Sequence, residues 1–111
     1  MLVLALVLGG GILLHARRPA GPDPARAAFE RAFAAQQMGR FHEAREGYLR
    51  ALALDPNLAD ARYQLALLTH AANTQDESRH DLAELERIAP GDPRISSLRA
   101  LIEGSPADGG R

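Results

Sequence analysis

Apolar residues recur at helical spacing along most of the chain, in stretches separated by glycine, proline and asparagine. Each stretch places its apolar residues on one face of a helix, as a helix that packs against a neighbour requires. Five helices are predicted, with approximate limits Pro24 to Met38, Phe41 to Leu54, Asn57 to Asn73, Thr74 to Pro90 and Pro93 to Glu103. The chain is therefore expected to be all-α.

Residues that start and stop helices flank these stretches. Asp23 as N-cap, followed by Pro24 in the first helical position, predicts the start of the first helix, and Gly39 predicts its left-handed end. Three further starts are predicted by Asn57 as a cap, by a capping box of Thr74 and Glu77, and by Asp92 followed by Pro93.

The apolar stripes identify the residues that should face inward. They lie on the second, third and fourth predicted helices: Phe41, Ala44, Tyr48, Ala51 and Leu52, then Leu58, Ala61, Leu65, Leu68 and Ala72, then Leu82, Leu85 and Ile88.

The chain also repeats itself with a period of 34 residues, the spacing between Pro56 and Pro90. At this offset Phe29 aligns with Tyr63, and Gly39 aligns with Asn73, so apolar residues meet apolar residues and turn formers meet turn formers. A repeat of this size cannot close a core alone and must stack on its neighbour. Such a stack presents a curved surface rather than an enclosed pocket, and a surface indicates binding.

The first repeat carries a specific motif. It consists of Gly39-Arg40-Phe41-His42-Glu43-Ala44, then Tyr48, Ala51, Leu54 and Asp55-Pro56-Asn57. These residues resemble the tetratricopeptide repeat (TPR). The second repeat is more diverged, with Asn73 in place of the turn glycine and Gln75 in place of the turn aromatic residue. The last predicted helix resembles the extra helix that usually closes a TPR array.

The resemblance implies a right-handed TPR-like superhelix of two helical hairpins plus a C-terminal capping helix, preceded by a short apolar N-terminal helix. The expected organisation is an apolar segment at 1–16, a linker at 17–23, a TPR-like domain at 24–104 with repeats 25–58 and 59–92 and capping helix 93–103, and a flexible tail at 105–111.

The first helix of each hairpin lines the concave groove in TPR folds. Carried over to this chain, the resemblance implies a groove for a protein or peptide partner, lined by Arg26, Phe29, Phe33, Gln36, Gln37, Asp60, Tyr63, Leu67 and His70. Alternatively, some of these side chains contact the linker or the fifth helix. Phe29 and Phe33 occupy two positions at which some TPR proteins place a carboxylate clamp, so a receptor for chaperone tails is disfavoured.

The first residues differ from the rest of the chain, because Met1 to Leu14 carries no charge and Arg17 and Arg18 follow it. This pattern favours an uncleaved single-pass membrane anchor at 1–16, in a bacterial inner membrane. A cleaved signal segment, giving an exported soluble protein, is the alternative, and a mis-assigned start codon is another. The two arginines favour a cytoplasmic repeat domain, but they are too few to decide its side of the membrane.

Charge and composition narrow the function further. The formal net charge of -1 argues against nucleic acid as a partner, and the absence of cysteine excludes thiolate chemistry. His70 and His80 do not have the spacing of a compact metal motif, so no metal and no cofactor are expected. The chain also carries no phosphate-binding loop and no nucleophile motif.

The function predicted from the sequence is thus a non-catalytic scaffold or adaptor that is tethered to a membrane and acts in the assembly of bacterial envelope complexes. The exported soluble TPR protein is the main alternative, and a helical metal-binding protein is less favoured. The sequence leaves the partner and the oligomeric state open.

Overall fold

The computed structural model of the protein describes residues 23–104, and this part is all-helical without strands. Its five helices are α1 (Pro24–Gln37), α2 (Phe41–Leu54), α3 (Ala59–Ala71), α4 (Gln75–Ile88) and α5 (Arg94–Glu103). α1 pairs with α2, α3 pairs with α4, and α5 packs against the second pair. The predicted class of two helical hairpins plus a C-terminal helix is confirmed. The anchor predicted at 1–16, most of the linker and the tail lie outside the described residues.

The two hairpins turn in the same way. Gly39 and Asn73, which are 34 residues apart, are both left-handed, with φ angles of 78° and 66°. After Gly39 the N–H of Arg40 donates to the carbonyl of Ala35 at 2.9 Å, and the equivalent bond after Asn73 has the same length. The pairing of these two turn residues, predicted from the repeat, therefore reflects one shared backbone geometry.

Two helix starts are also alike. The Asp23 carboxylate accepts the N–H of Ala25 at 3.1 Å, and the Asp92 carboxylate accepts the N–H of Arg94 at 2.9 Å. A proline follows each aspartate and fixes the backbone for the first helical turn. The predicted start of the first helix is confirmed, whereas α5 begins at Arg94, with Pro93 rather than Asp92 in the N-cap position.

The predicted cap at Asn57 is wrong, because α3 begins at Ala59 and has no side-chain cap. The carboxylate of Asp55 instead accepts the N–H of Asn57 at 3.0 Å. Asn57 is thereby held in the turn that precedes the helix, where local hydrogen bonds of aspartate compete with helix formation.

Thr74 is the N-cap of α4, as predicted, but the capping box predicted for Thr74 and Glu77 is wrong. The Thr74 hydroxyl donates to the carbonyl of Thr69 at 2.8 Å and so satisfies the end of α3 rather than the start of α4. Glu77 points to α2, where its carboxylate lies 3.4 Å from Arg45. The short turn brings the last carbonyl groups of α3 within hydrogen-bonding distance of the Thr74 hydroxyl, which explains why Thr74 bonds to α3.

The first hydrophobic cluster joins α1, α2 and the start of α3 around small residues. The Ala44, Tyr48 and Ala51 side chains are fully buried, as predicted. Phe41, predicted to face inward, is 58 % exposed, because it is the first residue of α2 and borders an open groove that it shares with Leu68, Ala71 and Ala72 near the end of α3.

The second cluster joins α3, α4 and α5. Its buried members are Ala66, Leu82, Leu85, Ile95, Leu98 and Ile102. The prediction for α3 is wrong at Ala72, which is exposed beyond the helix end, whereas Ala61 and Leu65 are buried as expected. None of the helices between residues 23 and 104 combines the length and hydropathy needed to cross a membrane.

Candidate functional site

A row of alternating charges links the first helices of the two hairpins to α5. Arg26 of α1 lies 3.1 Å from Asp60 of α3, and Arg94 of α5 lies 3.0 Å from the same carboxylate. These three residues are spaced by 34, so they occupy equivalent positions on the three helices. We call Arg26, Asp60 and Arg94 the ionic row, and it shows that α1, α3 and α5 share one face.

Asp92 holds Arg94 from the other side. Its carboxylate lies 2.7 Å from the guanidinium and also accepts the backbone N–H of Arg94. The side-chain bond to Arg94 lowers the pKa of Asp92 to about 2, and the same bond raises the pKa of Arg94. The end of the ionic row is therefore fixed in its charged form.

Aromatic rings lie next to the ionic row. The Arg26 guanidinium sits 5.0 Å from the centre of the Phe29 ring, and Arg94 sits 4.6 Å from the centre of the Tyr63 ring. Phe29 also packs against Tyr48 of α2, with 5.6 Å between ring centres. Both rings are half-buried, so they support the face rather than project from it.

A second row of side chains on this face is apolar and more exposed to solvent than the two aromatic rings. Phe33, Leu67 and Leu101 follow the members of the ionic row by seven residues, or two helical turns, and are themselves spaced by 34. Phe33 is 38 % exposed and Leu101 is 48 % exposed, while Leu67 is half-buried against the second cluster. We call these three residues the apolar row. Together with the ionic row and the rings of Phe29 and Tyr63 it defines the inner face.

Half-buried amide groups connect α1 to α3 beside these rows. The Tyr48 hydroxyl donates to the Oε1 atom of Gln36, whose Nε2 atom donates to the Oε1 atom of Gln64 at 3.2 Å. Burial raises the pKa of Tyr48 to about 12, so the phenol stays a neutral donor. The Tyr48 hydroxyl and both ends of the Gln36 amide are thus hydrogen-bonded within the protein.

The structure brings together most of the groove residues predicted from the sequence, namely Arg26, Phe29, Phe33, Tyr63 and Leu67. Two others stand apart from this group. Gln37 is the exposed last residue of α1, and His70 has its Nδ1 atom 3.3 Å from Gln75 at the start of α4.

Two residues of the inner face, Arg94 and Leu101, were not among the predicted groove residues. The signal for both was present in the sequence, because the period of 34 leads from Asp60 to Arg94 and from Leu67 to Leu101. α5 therefore carries a third copy of the charged and apolar positions of the two repeats, in addition to closing the array.

A buried ion pair lies away from the inner face, between α3 and α4. Arg62 and Asp81 are 2.8 Å apart, and their side chains are only 15 % and 5 % exposed. Thr69 donates to the second oxygen of Asp81 at 3.3 Å. Burial raises the pKa of Asp81, although the hydrogen bond from Arg62 opposes this effect. The pair serves packing, and no group of three or more His, Asp or Glu side chains in residues 23–104 is arranged to hold a metal ion.

Comparison with known proteins adds a family match. Residues 34–72 match the family model described as TPR repeat, and they run from the last turn of α1 through α2 and α3. No curated protein matches the chain. The match covers less than half of the 111 residues and supports a protein of the TPR type. TPR repeats are generally non-catalytic and bind other proteins.

Proposed function

We propose that the chain is a non-catalytic interaction module that binds a segment of a partner protein on its inner face and is tethered to a membrane through residues 1–16. The observation that carries the proposal is the apolar row, whose members Phe33 and Leu101 stay exposed although neighbouring polar groups are paired. Apolar side chains in register on three helices, two of them exposed, require a reason, and contact with another chain supplies one.

The helices that bear this face support the proposal. The family match covers the last turn of α1, all of α2 and all of α3. The resemblance to TPR arrays implies that the first helix of each hairpin faces the ligand. The inner face also runs on to α5, so a partner segment would contact three helices rather than two.

The proposed tether rests on composition. Met1 to Leu14 is uncharged and is followed by Arg17 and Arg18, a pattern typical of an apolar anchor with a charged flank. We further propose a bacterial inner membrane as the location and the assembly of an envelope complex as the role. A tether of this kind would keep the inner face close to the partners that it assembles.

Photocrosslinking in cells tests the binding face. A photoreactive amino acid is placed at Leu101 of the inner face and, as matched control, at Leu54, which is a similarly exposed leucine at the end of α2. We expect a discrete crosslinked partner from position 101 and none from position 54. The same partner captured equally from both positions would contradict the assignment of the face.

The tether has its own test. Membranes are washed with alkaline carbonate, and the mature amino terminus is sequenced. The proposal predicts a pelleted protein that still begins at Met1. A soluble protein that lacks the first residues would instead support the exported TPR protein, and would leave the binding face untouched.

A further inference from the structure

We propose that the segment bound by the inner face is an amphipathic α-helix with an uncharged apolar stripe, rather than an extended peptide or a charged tail. This inference rests on the proposed function and specifies its partner. It follows from three properties of the inner face: its charges pair with each other, the Gln36 amide beside it is already bonded, and its apolar side chains recur at the same position of α1, α3 and α5.

The charges of the inner face pair with each other. Asp60 bridges Arg26 and Arg94 at 3.1 and 3.0 Å, and Asp92 neutralises Arg94 at 2.7 Å. A carboxylate or an acidic peptide would have to displace these partners to gain a contact. The face therefore offers little charge for a ligand to complement, and binding should depend weakly on salt.

The amide groups beside the apolar row are also engaged. Gln36 accepts from Tyr48 and donates to Gln64, which links α1, α2 and α3. An extended peptide exposes backbone N–H and C=O groups that need partners when they are buried. An α-helix satisfies these groups within itself, so it is the form that can cover an apolar strip without such partners.

The spacing of the apolar row fits a crossing helix. Helices that contact each other lie about 8–10 Å apart, and two turns of an α-helix advance by about 11 Å. In this structure α5 packs against α3, and side-chain bonds from Arg26 to Asp60 and from Gln36 to Gln64 join α1 to α3. A helix laid across all three would present apolar side chains to Phe33, Leu67 and Leu101 in turn, at intervals of about seven residues if the three helices are spaced as packed helices are. Apolar residues three or four positions further along would complete its stripe.

Two libraries of displayed peptides of equal length test this inference. Each library is selected for binding to the full-length chain, which is held in neutral bicelles. One has a helix-favouring frame of Ala, Glu and Lys with apolar residues randomised along one face. The other carries the same apolar residues in a frame with regular prolines, which keeps the peptides extended. The strongest binder of each library is measured by fluorescence anisotropy and by circular dichroism.

The inference predicts that the helical library supplies the binder and that the bound peptide gains helical signal. Its Kd should rise about tenfold or more with Leu101→Ser, less than about twofold with Leu54→Ser, and recover with Leu101→Met. Phe33→Ser provides a second variant on α1. Raising NaCl from about 50 to 500 mM should change the Kd by less than about threefold.

Other results separate this inference from the function on which it rests. If only the proline library yields a binder that Leu101→Ser weakens, the helical partner is wrong and the inner face remains a binding site. A loss of affinity beyond about tenfold at high salt would likewise contradict the inference that the partner binds through an uncharged apolar stripe. If no binder responds to substitutions on the inner face, both proposals fail.

Discussion

At the residue scale, α1 and α2 approach each other closely at Gly47. A Cβ atom added there would lie 2.7 Å from the Cβ atom of Ala32 and 3.2 Å from its Cα atom. Glycine inside a helix costs about 1 kcal/mol of stability relative to alanine. Its presence at this crossing therefore indicates that the close packing of α1 and α2 stabilises the fold by more than this cost. The helix axes cannot separate here without opening the first cluster.

Gly47→Ala is therefore expected to destabilise the protein by about 1–2 kcal/mol despite the gain in helix propensity, because the crossing is overpacked. Chemical denaturation measures the change. Gly91→Ala is the control, since a Cβ atom at Gly91 meets nothing within 4 Å, and its effect should stay within about 1 kcal/mol. A Gly47→Ala protein as stable as the wild type would contradict the close packing.

Asp92→Asn tests the ion pair between the Asp92 carboxylate and the Arg94 guanidinium. Asparagine removes the charge but can still accept the backbone N–H of Arg94. The folded-state pKa of Asp92 is lowered to about 2, below its ordinary value of 3.8. The stabilisation is therefore complete above about pH 5 and is lost as the pH falls towards 2. We expect the wild type to exceed the variant by about 1 kcal/mol at pH 7, a value that allows for the one-third exposure of Arg94, and by nearly nothing at pH 2. Unfolding curves across this range measure the difference, and a constant gap would contradict the assignment.

Single residues also show where sequence patterns are sufficient. Asp23 and the pair Gly39 and Asn73 were predictable because each depends on its immediate neighbours in the chain. The cap at Asn57 and the capping-box bonds of Thr74 were not, because in each case a second hydrogen-bonding group stood within reach and competed with the helix start. The backbone geometry of the turn determines which of these groups is within hydrogen-bonding distance, and the order of residue types alone does not specify that geometry.

At the scale of helices, the ionic row connects three elements through exposed charges. Asp60→Asn removes both bridges of Asp60, and we expect a loss of about 1 kcal/mol or less because these side chains are a third or more exposed. The loss should disappear in about 1 M NaCl, where exposed charges are screened. Urea unfolding at low and high salt measures it, and a loss that persists in salt would mean that Asp60 acts through packing.

The ion pair between α3 and α4 should behave differently. Asp81→Ala leaves Arg62 without its partner in a buried position, so we expect a loss of about 2–3 kcal/mol that salt does not relieve. Asp76→Ala is the control on the same helix, because Asp76 is fully exposed and should change stability by less than about 0.5 kcal/mol. Equal effects of the two substitutions would show that the buried pair has no special role.

The number, order and pairing of the helices followed from the sequence, because apolar periodicity and turn residues repeat together. The exposure of Phe41 and Ala72 did not, since Phe41 is the first residue of α2 and Ala72 follows the last residue of α3, where little of a neighbouring helix covers them. Periodicity assigns a face to a residue, but burial at that face also requires an opposing element.

At the scale of the whole described part, one 34-residue register organises both the core and the inner face. The hairpin turns, the ionic row and the apolar row all follow it, and α5 supplies the third member of the two rows. The groove positions on α1 and α3 could be predicted by family resemblance. The mutual pairing of the charged and amide groups could not, because it depends on distances between helices that are far apart in the sequence.

The central claim is that a partner segment binds on the inner face, and a methyl NMR titration tests it most directly. The full-length chain is labelled at leucine methyl groups and titrated with the segment identified by crosslinking. We predict that the signals of Leu67 and Leu101 shift with the added segment while those of Leu49 and Leu54, exposed on α2, stay in place. Shifts confined to Leu49 and Leu54, with Leu67 and Leu101 unchanged, would contradict the claim.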